Sequence, residues 1–185
     1  FNNLPKNETH KSLGFSMVFI IMPHMINIVE KFINLPYTLI PPFIEERFFE
    51  TTNIKRSRKI LISPKFKIID YDIVIRLLND MLSKHNLKKG VFSRSNKWEL
   101  VQMTGLKHAD IRKLMYSSEI FISLNTFEAL NTSVVEAMAA GNFIFTYEGF
   151  GPKDYLRNNI NAFVFPNNQP YELLLALEAF ILDFD

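Results

Sequence analysis

The chain has 185 residues, enough for one domain, or one domain and a piece of another, with a full buried core. Apolar residues make up 48% and charged residues 22%, as in an ordinary globular protein, and a net charge of +2 gives no ground for nucleic-acid binding or strong membrane attraction. The absence of cysteine excludes a disulfide framework and a thiolate metal site, and His10, His24, His85 and His108 lack metal-ligand spacing.

Residues 1–14 are polar and rich in turn formers. Residues 15–22 read as a buried-type strand. Pro23 suits the first turn of a following helix, which runs to about Phe32 with Met25, Ile28, Val29 and Phe32 on its apolar face. The apolar run 17–26 is broken by Pro23 and His24, is about half the length of a bilayer span, and lacks the flanks of a signal peptide. Residues 37–40 form a short strand that Pro41 and Pro42 end, because neither can donate to a ladder.

After a basic, polar stretch at 53–59, residues 59–63 (KILIS) read as a buried parallel strand. Residues 70–84 form an amphipathic helix with Ile73, Leu77, Leu78 and Met81 inward. A short strand at 90–93 and a better one at 98–103 follow. Residues 108–116 are a short helix with Ile111, Leu114 and Met115 on one face; His108 opens it and reads as a surface or cap-region residue. Past the central stretch come a strand at 142–147, a helical turn at 153–157, a strand at 162–165 and a final helix at 169–182. Strands alternating with helices at this spacing predict an α/β fold, a doubly wound parallel sheet of about five or six strands. There is no internal repeat, no Walker loop and no Ser-His-Asp set.

The chain is organised around residues 121–141, FISLNTFEALNTSVVEAMAAG. An apolar strand at 119–124 gives way to a polar turn and then to a helix of small residues at 132–140, stopped by Gly141. Asn131 or Thr132 is suited to cap the helix with its side chain, and Gly141 fits the left-handed position after it. Free N–H groups at the helix start favour an anion such as a phosphate. Glu128 lies in the turn and Glu136 lies one turn into the helix, where it is placed to accept from sugar hydroxyls. The spacing of the two acids is weak alone; strand, turn, Glu, seven residues, then EAMAAG is far more specific.

This stretch resembles the C-terminal domain of retaining GT-B glycosyltransferases, the "group 1" family, in which a Glu, a loop and Glu-Ala-Met-Ala-x-Gly follow one another. The run TYEGFGPKDYLRNNINAFVFPNN at 146–168 is similar to the strand, glycine loop, helix and strand of that family. The segment IPPFIEERFF at 40–49 resembles its inter-domain crossing. The resemblance covers roughly residues 37–185 and is strongest from 105 to 168. It implies that residues 1–41 are the tail of an N-terminal acceptor domain, a fragment, since the chain starts with Phe. It makes 42–58 an inter-domain linker and 59–185 a Rossmann-like, nucleotide-sugar donor-binding domain. Against the family, 85–96 is short, as if a strand-helix step were compressed.

The resemblance also implies roles. Glu128 would stand at the donor sugar as the catalytic carboxylate. Glu136 would hold the ribose hydroxyls. Ala129, Leu130, Asn131 and Thr132 would offer backbone N–H groups to the diphosphate. Asn131 stands where the family often has glycine, and asparagine tolerates positive φ best among the other residues. Lys65 and Lys67 take the places of a basic pair that neutralises the diphosphate; two solvated loop lysines are the alternative. Gly149 and Gly151 match the glycine loop, with Glu148 and Asp154 solvated beside it.

The implied activity is transfer of a sugar from a nucleotide-sugar donor to an acceptor hydroxyl with retention. It needs no cofactor and no metal, because basic side chains and helix N–H groups meet the diphosphate charge. This chain would hold mainly the donor half and be inactive without an N-terminal domain. The partners are a nucleotide-sugar and an undefined glycan or lipid acceptor, with no nucleic acid. The expected location is cytoplasmic, with peripheral membrane contact left open. Two other readings stand beside it: another GT-B enzyme, a nucleotide-sugar epimerase or phosphorylase, and a non-catalytic α/β interaction domain. The fragment reading expects Phe15, Phe19, Ile20 and Ile21 to lie in an exposed apolar patch.

Overall fold

A computed structural model describes residues 7–50, 53–63, 70–88 and 97–184. The chain divides into two compact units, Phe1–Phe43 and Ile44–Asp185.

In the first unit β1 (Val18–Ile20) pairs in parallel with β2 (Tyr37–Leu39). Between them Pro23–Met25 forms a 3-10 turn, α1 (Ile26–Ile28) a short α-helical stretch and Val29–Ile33 a π turn, closed by Asn34 in the left-handed region. Ile20, Val29, Ile33 and Leu35 make the small core. Phe32, expected inward, is exposed, and Ile33 is buried in its place. The wider π turn rotates the later residues away from the 3.6-residue period, which accounts for the exchange. Of the four residues expected in an exposed patch, Phe15, Phe19 and Ile21 are exposed and Ile20 is buried. Successive residues of a strand point to opposite faces, so Ile20 turns inward between two outward neighbours.

The second unit carries a five-stranded parallel sheet among the described residues, in the order β4-β3-β5-β6-β7. The strands are β3 (Ser57–Ile62), β4 (Glu99–Gln102), β5 (Ser118–Ser123), β6 (Phe143–Tyr147) and β7 (Phe163–Phe165). The helices are α2 (Tyr71–Lys88), α3 (His108–Ser117), α4 (Thr132–Ala139) and α5 (Pro170–Phe184). This is the doubly wound α/β architecture read from the sequence. The strand expected at 90–93 lies outside the described residues.

Alternation along the central strands feeds two cores. Ile60, Ile62, Ile120, Ile122, Phe145 and Tyr147 face α2 and α5 on one side. Leu61, Phe121 and Ile144 face the other side with Met115, Val134 and Ala137. Burial of both faces is what a parallel sheet requires. Several phenylalanines meet on the first side, where Phe145 stacks on Phe163 at 4.6 Å and Phe143 meets Phe180 at 4.9 Å.

The inward stripe of α2 differs from the expected one. Tyr71, Val74, Leu78 and Leu82 are buried, while Ile73 and Leu77 are exposed and Met81 is partly buried. The sequence around Leu77 and Leu78 supports two adjacent stripes at helical spacing. The sheet covers the one that includes Tyr71 and Leu82, and removing it from water stabilises that orientation.

The segment before β3 is built into this unit. Phe48 is fully buried in the second core. Arg56 donates from Nη1 to the Ser118 carbonyl at 2.7 Å and from Nη2 to the Ala140 carbonyl. Gly141, at φ +80°, leaves room for that guanidinium, since a Cβ there would lie 2.8 Å from Arg56 Nη2. The left-handed stop expected after α4 is therefore present, and a cation satisfies the carbonyls of the helix end.

Candidate functional site

The sheet order places a switch point between β3 and β5. The chain leaves β3 outward to β4, then crosses back to β5 and continues to β6 and β7. In open α/β sheets ligands bind outside the carboxyl ends of the strands at such a point. The loop that leaves β5 there is residues 124–131, and it runs directly into α4.

Glu128 is half-buried in that loop and accepts from Asn125 Nδ2 at 3.0 Å. Burial raises its carboxyl above the ordinary value of 4.5, and the Asn125 hydrogen bond offsets part of the rise. Burial also raises the Tyr155 phenol, and the charge of Glu128 raises it further, which puts the two groups in electrostatic reach. The Tyr155 hydroxyl donates to the carbonyl of Leu130. Glu128, Leu130 and Tyr155 thus form one cluster, and Tyr155 and Asn125 are members that sequence reasoning missed.

Asn131 takes the left-handed conformation, φ 54° and ψ 67°, where the family often has glycine. Its side chain does not cap α4, contrary to expectation. It is turned inward and donates from Nδ2 to Ser123 Oγ at 2.9 Å. The backbone carbonyl of Asn131 starts the helix, accepting from Val134 at 3.0 Å. Thr132 is exposed as the first helical residue and makes no side-chain cap either. The start of α4 is thus free of a side-chain acceptor that would compete with an anion.

The loop after β6 holds this cradle from the side. Phe150 N–H donates to the Thr126 carbonyl at 2.9 Å, and Gly149 N–H donates to Asn167 Oδ1 at 3.0 Å. Gly151 lies against Ala129 so closely that a Cβ would sit 1.8 Å from its carbonyl oxygen. The glycine loop therefore supports the β5 loop by direct backbone approach.

Glu136 sits on α4 with only 12% of its side chain exposed, and Oε1 lies 3.0 Å from His108 Nε2. Lys107 is the N-cap of α3, and His108 is its first residue. The imidazole is also packed against Phe48, with ring centroids 5.6 Å apart. The sequence reading of His108 as a surface or cap residue is corrected: it is exposed, yet it engages the buried acid of α4. Nothing in its neighbourhood in the sequence signals a partner 28 positions away. Lys65 and Lys67 lie outside the described residues.

The raised pKa of Glu128 gives a testable sign. The folded state favours the protonated carboxyl, so the group's stabilising contribution is present below about pH 4.5 and is lost as pH rises through the folded value. Glu128→Gln should therefore melt higher than the parent at pH 7, and the difference should close on acidification. Melting curves between about pH 4 and 8 check this; a variant less stable than the parent at pH 7 would contradict it.

A parallel sheet with helices on both faces and a loop at its switch point that carries a carboxylate into a helix start defines a doubly wound α/β protein. The profile of the family described as "Glycosyl transferases group 1" matches residues 72–184. The chain belongs to the group 1 glycosyltransferases. Its fold is similar to that of the Staphylococcus aureus protein TarM, solved as a point mutant with fondaparinux, alpha-GlcNAc-glycerol and UDP, at TM-score 0.68 and 14% identity. That match covers 90% of this chain and 37% of TarM. Sucrose-phosphate synthase from Thermosynechococcus elongatus matches at TM-score 0.67 and 12% identity, over 90% of this chain and 49% of that one. WaaG, a glycosyltransferase of lipopolysaccharide biosynthesis, matches at TM-score 0.62 and 15% identity, over 89% of this chain and 53% of that one. The chain thus spans between about a third and a half of the length of these structures. No curated protein matches the sequence. Among the described residues no helix is long and apolar enough to cross a membrane.

Proposed function

We propose that the second unit binds a nucleotide-sugar and serves a glycosyltransferase that transfers the sugar to an acceptor hydroxyl with retention. The observation that carries this reading is the loop from β5 into α4. It brings a half-buried carboxylate, Glu128, to a helix start with no side-chain cap, at the switch point of the sheet. The diphosphate sits at the N–H groups around Asn131 and Thr132, the sugar lies toward Glu128, and Glu136 takes the ribose hydroxyls. Lys65 and Lys67 add positive charge, so no metal is needed for the leaving group. TarM was solved with UDP, and a pneumococcal O-GlcNAc transferase of similar fold was solved with UDP and GlcNAc, which supports a nucleotide-sugar as donor. The acceptor, a glycan or lipid, is met by a further N-terminal domain, and residues 1–41 belong to that side. Without it the chain is inactive. A cytoplasmic location accords with this chemistry.

Calorimetric titration of UDP and GDP into the wild type and Glu136→Gln tests the reading. One nucleotide should bind the wild type, and the variant should bind it about tenfold or more weakly, the scale of a hydrogen bond to a charged group. Failure of both nucleotides to bind the wild type would overturn the donor site. Equal binding by both proteins would remove the ribose role of Glu136.

A further inference from the structure

We propose that His108 is a positioning residue for Glu136, fixing the carboxylate that receives the ribose. The proposal rests on the ribose role assigned to Glu136 above. The contact is direct: Nε2 lies 3.0 Å from Oε1. A carboxylate can only accept, so Nε2 carries the proton. With Oε1 engaged, Oε2 is the acceptor left for ligand hydroxyls. The two side chains arrive from different crossovers. His108 opens α3 after β4, and Glu136 belongs to α4 after β5, so the pair bridges two helices that both pack on β5.

The geometry is built on both sides of the imidazole. Phe48, fully buried, packs against the ring and limits its rotation. Glu136 is 12% exposed and His108 is 58% exposed, so the acid is set deep and the imidazole closes over it. A long acid side chain held at one oxygen has less rotamer freedom to lose when a ligand arrives. The exposed position of the histidine makes the contact itself worth little to stability. Orientation of the acid is the contribution that remains.

The experiment uses UDP and 2′,3′-dideoxy-UDP, titrated into the whole chain. The wild type should prefer UDP by about tenfold or more, and Glu136→Gln should erase most of that preference. His108→Ala should weaken UDP by about five- to tenfold and leave dideoxy-UDP unchanged. His108→Gln, which can offer an amide N–H from a similar place, should recover most of the UDP affinity. Equal weakening of both nucleotides by His108→Ala would make the histidine a scaffold residue and overturn the proposal. Unchanged UDP affinity in His108→Ala, with the preference still erased by Glu136→Gln, would overturn it while sparing the ribose role. A wild type that binds both nucleotides alike would overturn the ribose role and the proposal together.

Discussion

Gly151→Ala is expected to weaken nucleoside diphosphate binding by about a hundredfold while the protein still folds. A Cβ at this position would stand 1.8 Å from the Ala129 carbonyl oxygen, 2.3 Å from its carbon and 2.5 Å from the Glu128 carbonyl oxygen. All three atoms are backbone, so no side chain can swing aside. Gly151 has φ −90°, which any residue adopts, so the damage is steric rather than conformational. Something must move by more than an ångström, and the β5 loop is the part in the way. That loop supplies Glu128, Leu130 and Asn131, and a displacement of about 1 Å in a positioned group can cost about two orders of magnitude. The stability loss should be of the overpacking kind, about 1–3 kcal/mol. Calorimetry with UDP, paired with a thermal melt, separates the two effects. Affinity within about twofold of the parent would show that the cradle does not depend on this contact.

Phe121→Ala should cost about 3–5 kcal/mol, the range for removing a fully buried aromatic ring. Phe121 lies in β5, which pairs with β3 on one side and β6 on the other, and it is completely buried. Its core also contains Val134 and Ala137 of α4, so the cavity would open beneath the helix that carries Glu136. Against a typical total of about 5–15 kcal/mol, this is a large fraction of the stability of the unit. A urea titration should show the midpoint fall with little change in slope. Phe121→Leu should lose less, since most of the volume is kept. An alanine variant within about 1 kcal/mol of the parent would contradict the burial on which the expected loss rests.

The centre of the fold was legible because its signals are local. The β-rich run before Asn125, the small residues of α4 and the Gly141 stop each specify conformation within a few positions. Asn131 in the left-handed region follows from its own side-chain chemistry. What was not legible depends on distant partners. The stripe of α2 was ambiguous between Ile73–Leu77 and Val74–Leu78 spacing, and only the sheet beneath it decides. The first-unit helix changes register at a π turn that its composition does not announce. Asn131 was expected to cap α4, yet Ser123 at the end of the preceding strand draws its amide away. The His108–Glu136 contact and the approach of Tyr155 to Leu130 join separate crossovers, so no short window contains them.

The hydrogen bond from the Phe150 amide to the Thr126 carbonyl has a mechanical consequence. Together with the Gly151 contact and the Tyr155 hydroxyl, it rivets the outlets of two neighbouring strands into one piece. A sugar that pressed on Glu128 would therefore load the backbone beyond β6 as well. Amide exchange at Phe150 should slow whenever a donor is held at the end of β5.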